Sequence, residues 1–130
     1  MLTIIMAAEY NGGIGNKGGL PWPKDHVDMM SFIRHTVGKT CICSKNTYFA
    51  LQGKLPLRQL VIADREWTHV DWLNFAKSPQ EYMVLGGPAI YKLAAPYTEE
   101  FILHRIRGEY ECDTFSPFPL PWVRKDIVNE

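Results

Sequence analysis

The run Leu2-Thr3-Ile4-Ile5-Met6-Ala7-Ala8 is rich in strand-forming residues yet does not alternate between apolar and polar positions. A strand with one wet face alternates, so a strand that does not must be covered on both faces, as in a parallel or mixed sheet under helices. The rest of the chain supplies the partners. Thr40–Cys43, Leu60–Ala63, Tyr82–Leu85 and Phe101–Ile106 are further short strand-type runs. Between them lie helical patterns. Over Asp25–Thr36, Val27, Met29, Met30, Phe32 and Ile33 recur mostly at helical spacing, with Asp25 as N-cap and Gly38 just past the end. Lys45–Gln52 is a second helix, and Ala89–Ala95 a third with Pro88 at its first position. Trp67–Phe75 is undecided between strand and irregular structure. Glu109–Cys112 extends the sheet, and the proline-rich Ser116–Pro121 leads to a last short segment, Val123–Val128. The expected fold is an α/β sandwich: a central, mostly parallel mixed sheet flanked by helices.

Composition narrows the partners. A chain of 130 residues, 46% hydrophobic, can bury a core as a single domain over 1–130 without disulfides or metal. Fourteen basic residues balance fourteen acidic ones, so no global field draws it to nucleic acid or an anionic membrane, and the expected partner is a small molecule. Cys41, Cys43 and Cys112 are odd in number, and the first two at i, i+2 are not a metal-ligand pair. They read as reduced thiols in a cytoplasmic protein. The opening apolar run has no basic leader and ends at Glu9, unlike a signal peptide, and no run approaches membrane-spanning length.

Chemistry concentrates in three places. Tyr10–Gly19 carries five glycines in ten residues and is followed by Leu20-Pro21-Trp22-Pro23, a long loop with Ile14, Leu20 and Trp22 as apolar groups to close with. The strand ending at Gly86-Gly87 and the helix after it bring backbone N–H groups to a helix start, which suits a phosphate, although such turns often serve only to turn. Asp28, at the third position of the first helix, supports the cap and dipole on a bland reading. At the mouth of an apolar cleft the same carboxylate would grip the N–H edge of a heterocycle. Lys45, Arg58 and Arg65 are isolated cations. His26, His35, His69 and His104 show no metal spacing and read as ordinary surface or core residues.

Taken together, Ile14-Gly15 in the glycine loop, Leu20-Pro21-Trp22, Asp28 with Phe32-Ile33-Arg34, and Leu85-Gly86-Gly87-Pro88-Ala89-Ile90-Tyr91 resemble the dihydrofolate reductase family in order and spacing. Thr47, Leu55-Pro56-Leu57-Arg58 and Asp113-Thr114 also fall where that family has counterparts, so the similarity covers roughly residues 2–119. The resemblance implies hydride transfer from NADPH to 7,8-dihydrofolate, giving tetrahydrofolate for one-carbon and thymidylate metabolism. It makes Asp28, Trp22, Leu20 and Tyr91 the catalytic group. Asp28 would bind the pterin and promote protonation at N5 through solvent. Ile5, Met6, Ala7, Met29, Phe32, Leu51, Leu55 and Thr114 would line the substrate slot, and Arg58 would pair with the glutamate α-carboxylate. On the cofactor side stand Ala7, Ile14, Gly15, Thr47, Asp64, Leu85, Gly86, Gly87, Ile90 and Tyr91, with Lys45 and Arg65 toward the 2′-phosphate.

The chain departs from that family in three ways. The stretch from Trp72 to Tyr82 reads as too short for the helix that relatives place before the Gly-Gly strand. Ser44 replaces a glycine and would crowd the phosphate approach. The C-terminal hairpin is reduced, leaving a strand edge near Val123–Val128 that a second copy of the chain would cover. The expected state is therefore a monomer or a homodimer through that edge. Competing readings are a related pteridine or pyrimidine reductase, and a noncatalytic nucleotide-binding or structural protein that retains the fold.

Overall fold

The computed structural model describes residues 1–9, 11–17, 21, 34–51, 58–106, 108, 110–117 and 125–128, with the backbone alone at 50, 51 and 125–128. Its strands are β1 (Leu2–Glu9), β2 (Gly13–Gly15), β3 (Thr40–Cys43), β4 (Gln59–Ile62), β5 (Tyr82–Gly86), β6 (Glu100–Ile106), β7 (Thr114–Phe115) and β8 (Lys125–Val128). Its helices are α1 (Lys45–Leu51), α2 (His69–Lys77) and α3 (Pro88–Ala94), the last running into a 3₁₀ turn at Ala95–Tyr97. Residues 34–36 are helical, while the rest of the expected helix over 25–36 lies outside the described residues.

Six strands form one sheet in the order β4-β3-β5-β1-β6-β8, and every pairing in it is parallel. The expected mixed character resides elsewhere, in a separate antiparallel pair of β2 with β7. The absence of alternation in β1 is explained by its place near the middle of the sheet. Leu2, Ile4, Met6 and Ala8 join a cluster with Trp72 of α2 and Ile90, Tyr91 and Ala94 of α3, whereas Ile5 joins Cys41, Met83 and Ile102 in a second cluster. Burial of each large apolar side chain contributes about 1.5–3 kcal/mol. Burial also pushes the thiols of Cys41 and Cys43 up to about 11, so both stay protonated at neutral pH.

The structure corrects the reading of residues 67–77. The alternation of Thr68, Val70 and Trp72 suggested a strand, but these residues start α2, with Val70 61% exposed and Trp72 2% exposed. A capping box decides the outcome. Thr68 Oγ1 accepts from the Asp71 N–H, and the Asp71 carboxylate accepts from the Thr68 N–H at 2.7 Å. The helix begins at His69, ahead of Trp72, and runs to Lys77, so it has room that a count starting at Trp72 denied it. Trp67 then packs edge-on against Trp72 and stacks on Phe75, both at 5.1 Å between ring centroids. A second correction concerns the segment before β7. Residues 110–112 form no strand, and the strand that follows pairs with β2 instead of extending the main sheet.

Candidate active site

The topology opens a crevice at one place. From β1 the chain passes over β5 to reach β3, and from β5 it passes over β1 to reach β6, so the two connections leave in opposite directions. Open α/β sheets bind ligands at the carboxyl ends of strands where this reversal occurs. The register shows the opening. β1 and β5 pair at Leu2–Tyr82, Thr3–Met83 and Ile4–Val84, and no further. Beyond that point β1 continues along β6 through Glu9, while Gly86 pairs with Cys43 of β3 across a bulge.

Tyr91 compensates the carbonyls that this divergence strands. Its hydroxyl lies 2.8 Å from the Ile5 carbonyl oxygen and 3.0 Å from that of Leu85, one proton serving two acceptors across the gap. Gly86 makes room for it. At φ +109° it occupies a conformation that side chains avoid, and a Cβ there would stand 3.0 Å from the Tyr91 ring. The Gly86–Gly87 peptide is cis. Above Gly87 the space is open among the described residues, of which a Cβ there would meet nothing nearer than Ser44 Oγ at 4.0 Å. A bulky anionic group such as a pyrophosphate can therefore approach this backbone closely, and the residues present fit one.

Ser44 ties two elements together beside that approach. Its hydroxyl accepts from the N–H groups of Thr47 (3.2 Å) and Gly87 (3.3 Å) and donates to Thr47 Oγ1 (3.0 Å). Thr47 is thus oriented by Ser44 at the start of α1. Lys45 follows β3 and Arg65 follows β4, and those strands are neighbours whose exits are linked by the Ala63 N–H on the Cys43 carbonyl at 2.8 Å. Both cations are exposed on this side of the sheet. Asp64 shapes the same turn by accepting the Glu66 N–H at 2.9 Å.

Other expected residues fall differently. Ile5 packs with the cluster opposite α2 and α3, whereas Met6 packs toward those helices, so only Ile5 and Ala7 turn toward one face. Ile90 is 1% exposed and lies wholly within the core, supporting the crevice from beneath. Leu85 offers the crevice its carbonyl. Arg58 stands before β4, its Nε donating to the buried Thr36 Oγ1 at 2.9 Å. Thr114, expected to line the substrate slot, sits in β7 against Gly15 with its hydroxyl on Asp113 at 2.8 Å, in the two-stranded pair and not in the six-stranded sheet that carries Ile5 and Ala7. Leu20, Trp22, Asp28, Met29, Phe32 and Leu55 lie outside the described residues, and Leu51 closes α1.

The glycine loop is held by β7 and its flanks. Ile14 packs against the core, the Gly15 carbonyl accepts the Asp113 N–H at 3.0 Å, and the Asp113 carboxylate accepts the Lys17 N–H at 2.9 Å. These hydrogen bonds, the Lys17 N–H first and the Thr114 hydroxyl second, hold the Asp113 carboxyl below the usual carboxylate range. Two groups escaped the sequence reading. Glu9 and His104 are 1% and 3% exposed, on neighbouring strands at the carboxyl end of the sheet, with His104 directly beside Ala7. Nothing in periodicity separates such residues from ordinary core positions. Among the described residues no cluster of His, Cys, Asp or Glu is arranged to hold a metal. No described helix is long and apolar enough to cross a membrane.

Comparison with known proteins agrees with this geometry. The dihydrofolate reductase family profile matches residues 1–124. The dihydrofolate reductase of Enterococcus faecium is 30% identical over 151 residues, covering 100% of this chain and 89% of its own. That of Haemophilus influenzae is 29% identical over 135 residues, covering 96% and 83%. Among solved structures, Enterococcus faecalis dihydrofolate reductase complexed with NADP(H) and RAB-propyl superposes with a TM-score of 0.77 at 24% identity, over 91% of this chain and 77% of that one. By sequence over nearly its whole length, with its fold in accord, the chain belongs to the dihydrofolate reductase family, the NADPH-dependent oxidoreductases that reduce dihydrofolate to tetrahydrofolate.

Proposed function

We propose that this reaction takes place in the crevice between the carboxyl ends of β1 and β5, with the residues of this chain in the following roles. NADPH, when bound, supplies the hydride. Gly87 admits the pyrophosphate because the space above it is open among the described residues, Gly86 makes the turn against Tyr91 that presents it, and Thr47, oriented by Ser44, offers its hydroxyl alongside. Lys45 and Arg65, exposed on adjacent strand exits, hold the 2′-phosphate, with Asp64 shaping the turn that carries Arg65. Ile14 and Gly15, fixed by β7, border the nicotinamide and exclude water. Ile5 and Ala7 present one edge of β1 to the pterin. Tyr91 fixes the spacing of the crevice walls and places a polarised hydroxyl beside the reacting rings. Asp28 grips the pterin N–H edge and favours its protonated form, with Leu20, Trp22, Met29, Phe32, Leu51 and Leu55 closing the slot and Arg58 taking the glutamate carboxylate.

The observation that carries this reading is the Tyr91 hydroxyl bridging the Ile5 and Leu85 carbonyls directly beside Gly86. The test follows NADPH oxidation with dihydrofolate, comparing the parent with Asp28→Asn, which preserves shape and removes charge. A dihydrofolate-dependent rate in the parent and a large loss in the variant at neutral pH are expected. A folded parent that binds NADPH but oxidises it only with another pteridine or pyrimidine would instead support a related reductase. The unpaired cysteines suit a reducing, cytoplasmic setting. Pairing of a second copy along the β8 edge is the proposed route to a homodimer, and sedimentation as a monomer at high micromolar concentration would rule it out.

A further inference from the structure

Glu9 is the last residue of β1 and is 1% exposed, an expensive place for a carboxyl group unless something nearby requires it. The local hydrogen bonds show what does. Its Oε1 accepts the N–H groups of Asn11 and Gly13, each at 2.8 Å, while its main-chain carbonyl accepts the Gly12 N–H at 2.9 Å. Three successive amides therefore converge on one residue. Gly12, at φ +85°, allows the backbone to wind around it. Its second carboxylate oxygen, Oε2, is buried with no hydrogen-bond partner among the described residues. Packing closes the arrangement. A Cβ at Gly13 would collide with Cys112 Sγ and stand 3.0 Å from Glu9 Oε1, so the turn is wedged between the carboxylate and the thiol.

We infer that Glu9 is a positioning residue for the reductase, fixing the root of the glycine loop so that Ile14 and Gly15 are delivered in register against β7 and over the cofactor side of the crevice. This rests on the placement of the nicotinamide beside Ile14 and Gly15 proposed above. The two ends of the described loop are held differently. Lys17 is held by the exposed Asp113, a contact that water can replace, whereas Asn11 and Gly13 are held by a carboxylate that water does not reach. Removing Glu9 leaves the buried Gly13 N–H and the part-buried Asn11 N–H to find other acceptors, which displaces the turn.

The experiment measures NADPH and dihydrofolate affinities by tryptophan fluorescence, steady-state kinetics, and amide hydrogen exchange at residues 11–13, for the parent, Glu9→Ala, Glu9→Asp and Glu9→Gln. Glu9→Ala and Glu9→Asp are expected to weaken NADPH binding about tenfold and to speed exchange at Asn11 and Gly13, with dihydrofolate affinity changed less than about twofold. Glu9→Gln, which keeps an acceptor oxygen, restores NADPH affinity to within about threefold of the parent. If Glu9→Ala does not fold, Glu9→Asp carries the test, since it retains the charge and only withdraws the oxygens by one methylene. NADPH affinity and exchange at Asn11 and Gly13 matching the parent in the folded variants would overturn the inference. So would an equal loss of both ligands. A parent that binds no NADPH would refute the functional reading instead, and exchange at Asn11 and Gly13 would still decide whether Glu9 anchors the turn.

Discussion

At Thr3 and Ile4, β1 is paired with β5 on one side and β6 on the other, whereas from Ile5 to Glu9 it is paired with β6 alone. The closed half is filled by apolar side chains, with Leu2 and Ile4 packed toward Trp72, Ile90 and Ala94. The open half carries polar and backbone chemistry: the Ile5 carbonyl on Tyr91, the backbone at Gly86 and Gly87, the buried Glu9, and His104 beside Ala7. One strand thus serves stability at its start and function at its end. The difference arises because a sheet that stays paired along its whole length has no room for a ligand, while one that diverges must satisfy the carbonyls it frees.

If the closed half sets stability, the largest effect should come from emptying it. Trp72→Ala is expected to cost about 3–5 kcal/mol, read as a lowered Tm with the activity per folded molecule preserved. An unchanged Tm would break the comparison. Gly86→Ala should act in the opposite way, since its Cβ presses on the Tyr91 ring at a φ that alanine resists, costing about 1–3 kcal/mol. Its signature is a larger loss of NADPH affinity than of stability. Tyr91→Phe leaves two crevice carbonyls without the hydroxyl and should cost about 1–3 kcal/mol, with kcat/KM falling more steeply than the Tm change explains. Equal losses in both would make Tyr91 a structural residue alone. Thr68→Ala removes the capping box of α2, far from the crevice, and should cost about 1 kcal/mol with no kinetic effect.

The smallest effect concerns pH. The Asp113 carboxyl is lowered in the folded state, so its bond to Lys17 is present above the unfolded carboxylate value near 4 and is lost as pH falls through the lowered value. The protection of the Lys17 amide, its exchange taken relative to the intrinsic rate at each pH, should fall over that acidic range and stay flat from about pH 5 to 8. Because Asp113 is exposed, the global Tm should barely register the change.

Much of the fold was legible because apolar periodicity and turn chemistry are local. The unalternating β1, Pro88 opening α3, and the strand at Tyr82 all followed from neighbours in the chain. Residues 67–77 misled because three apolar or β-branched residues at period 2 look alike in a strand and in a helix whose face is partly exposed. The Thr68–Asp71 box was the better signal there. At the site, the Gly86-Gly87 turn and the glycine loop at Ile14-Gly15 were read from the residues themselves, whereas Tyr91 and Thr47 were named through the family resemblance that these motifs carry. Ser44 was seen only as an obstruction, although its spacing to Thr47 already suited a helix cap.

The sequence by itself determined the strands β1, β3, β4, β5 and β6 and the helices α1 and α3, that the sheet is covered on both faces, and where glycine must stand, since each depends on residues a few positions apart. The tertiary structure alone decided that β1 and β5 part after Ile4 and Val84, and that a hydroxyl on α3 spans the opening. It alone moved Thr114 into the loop clamp, buried Glu9 and set the buried His104 beside Ala7. These facts depend on strand order and register across as many as 99 positions of chain, from Gly15 to Thr114, and no local pattern encodes which residues meet at that distance.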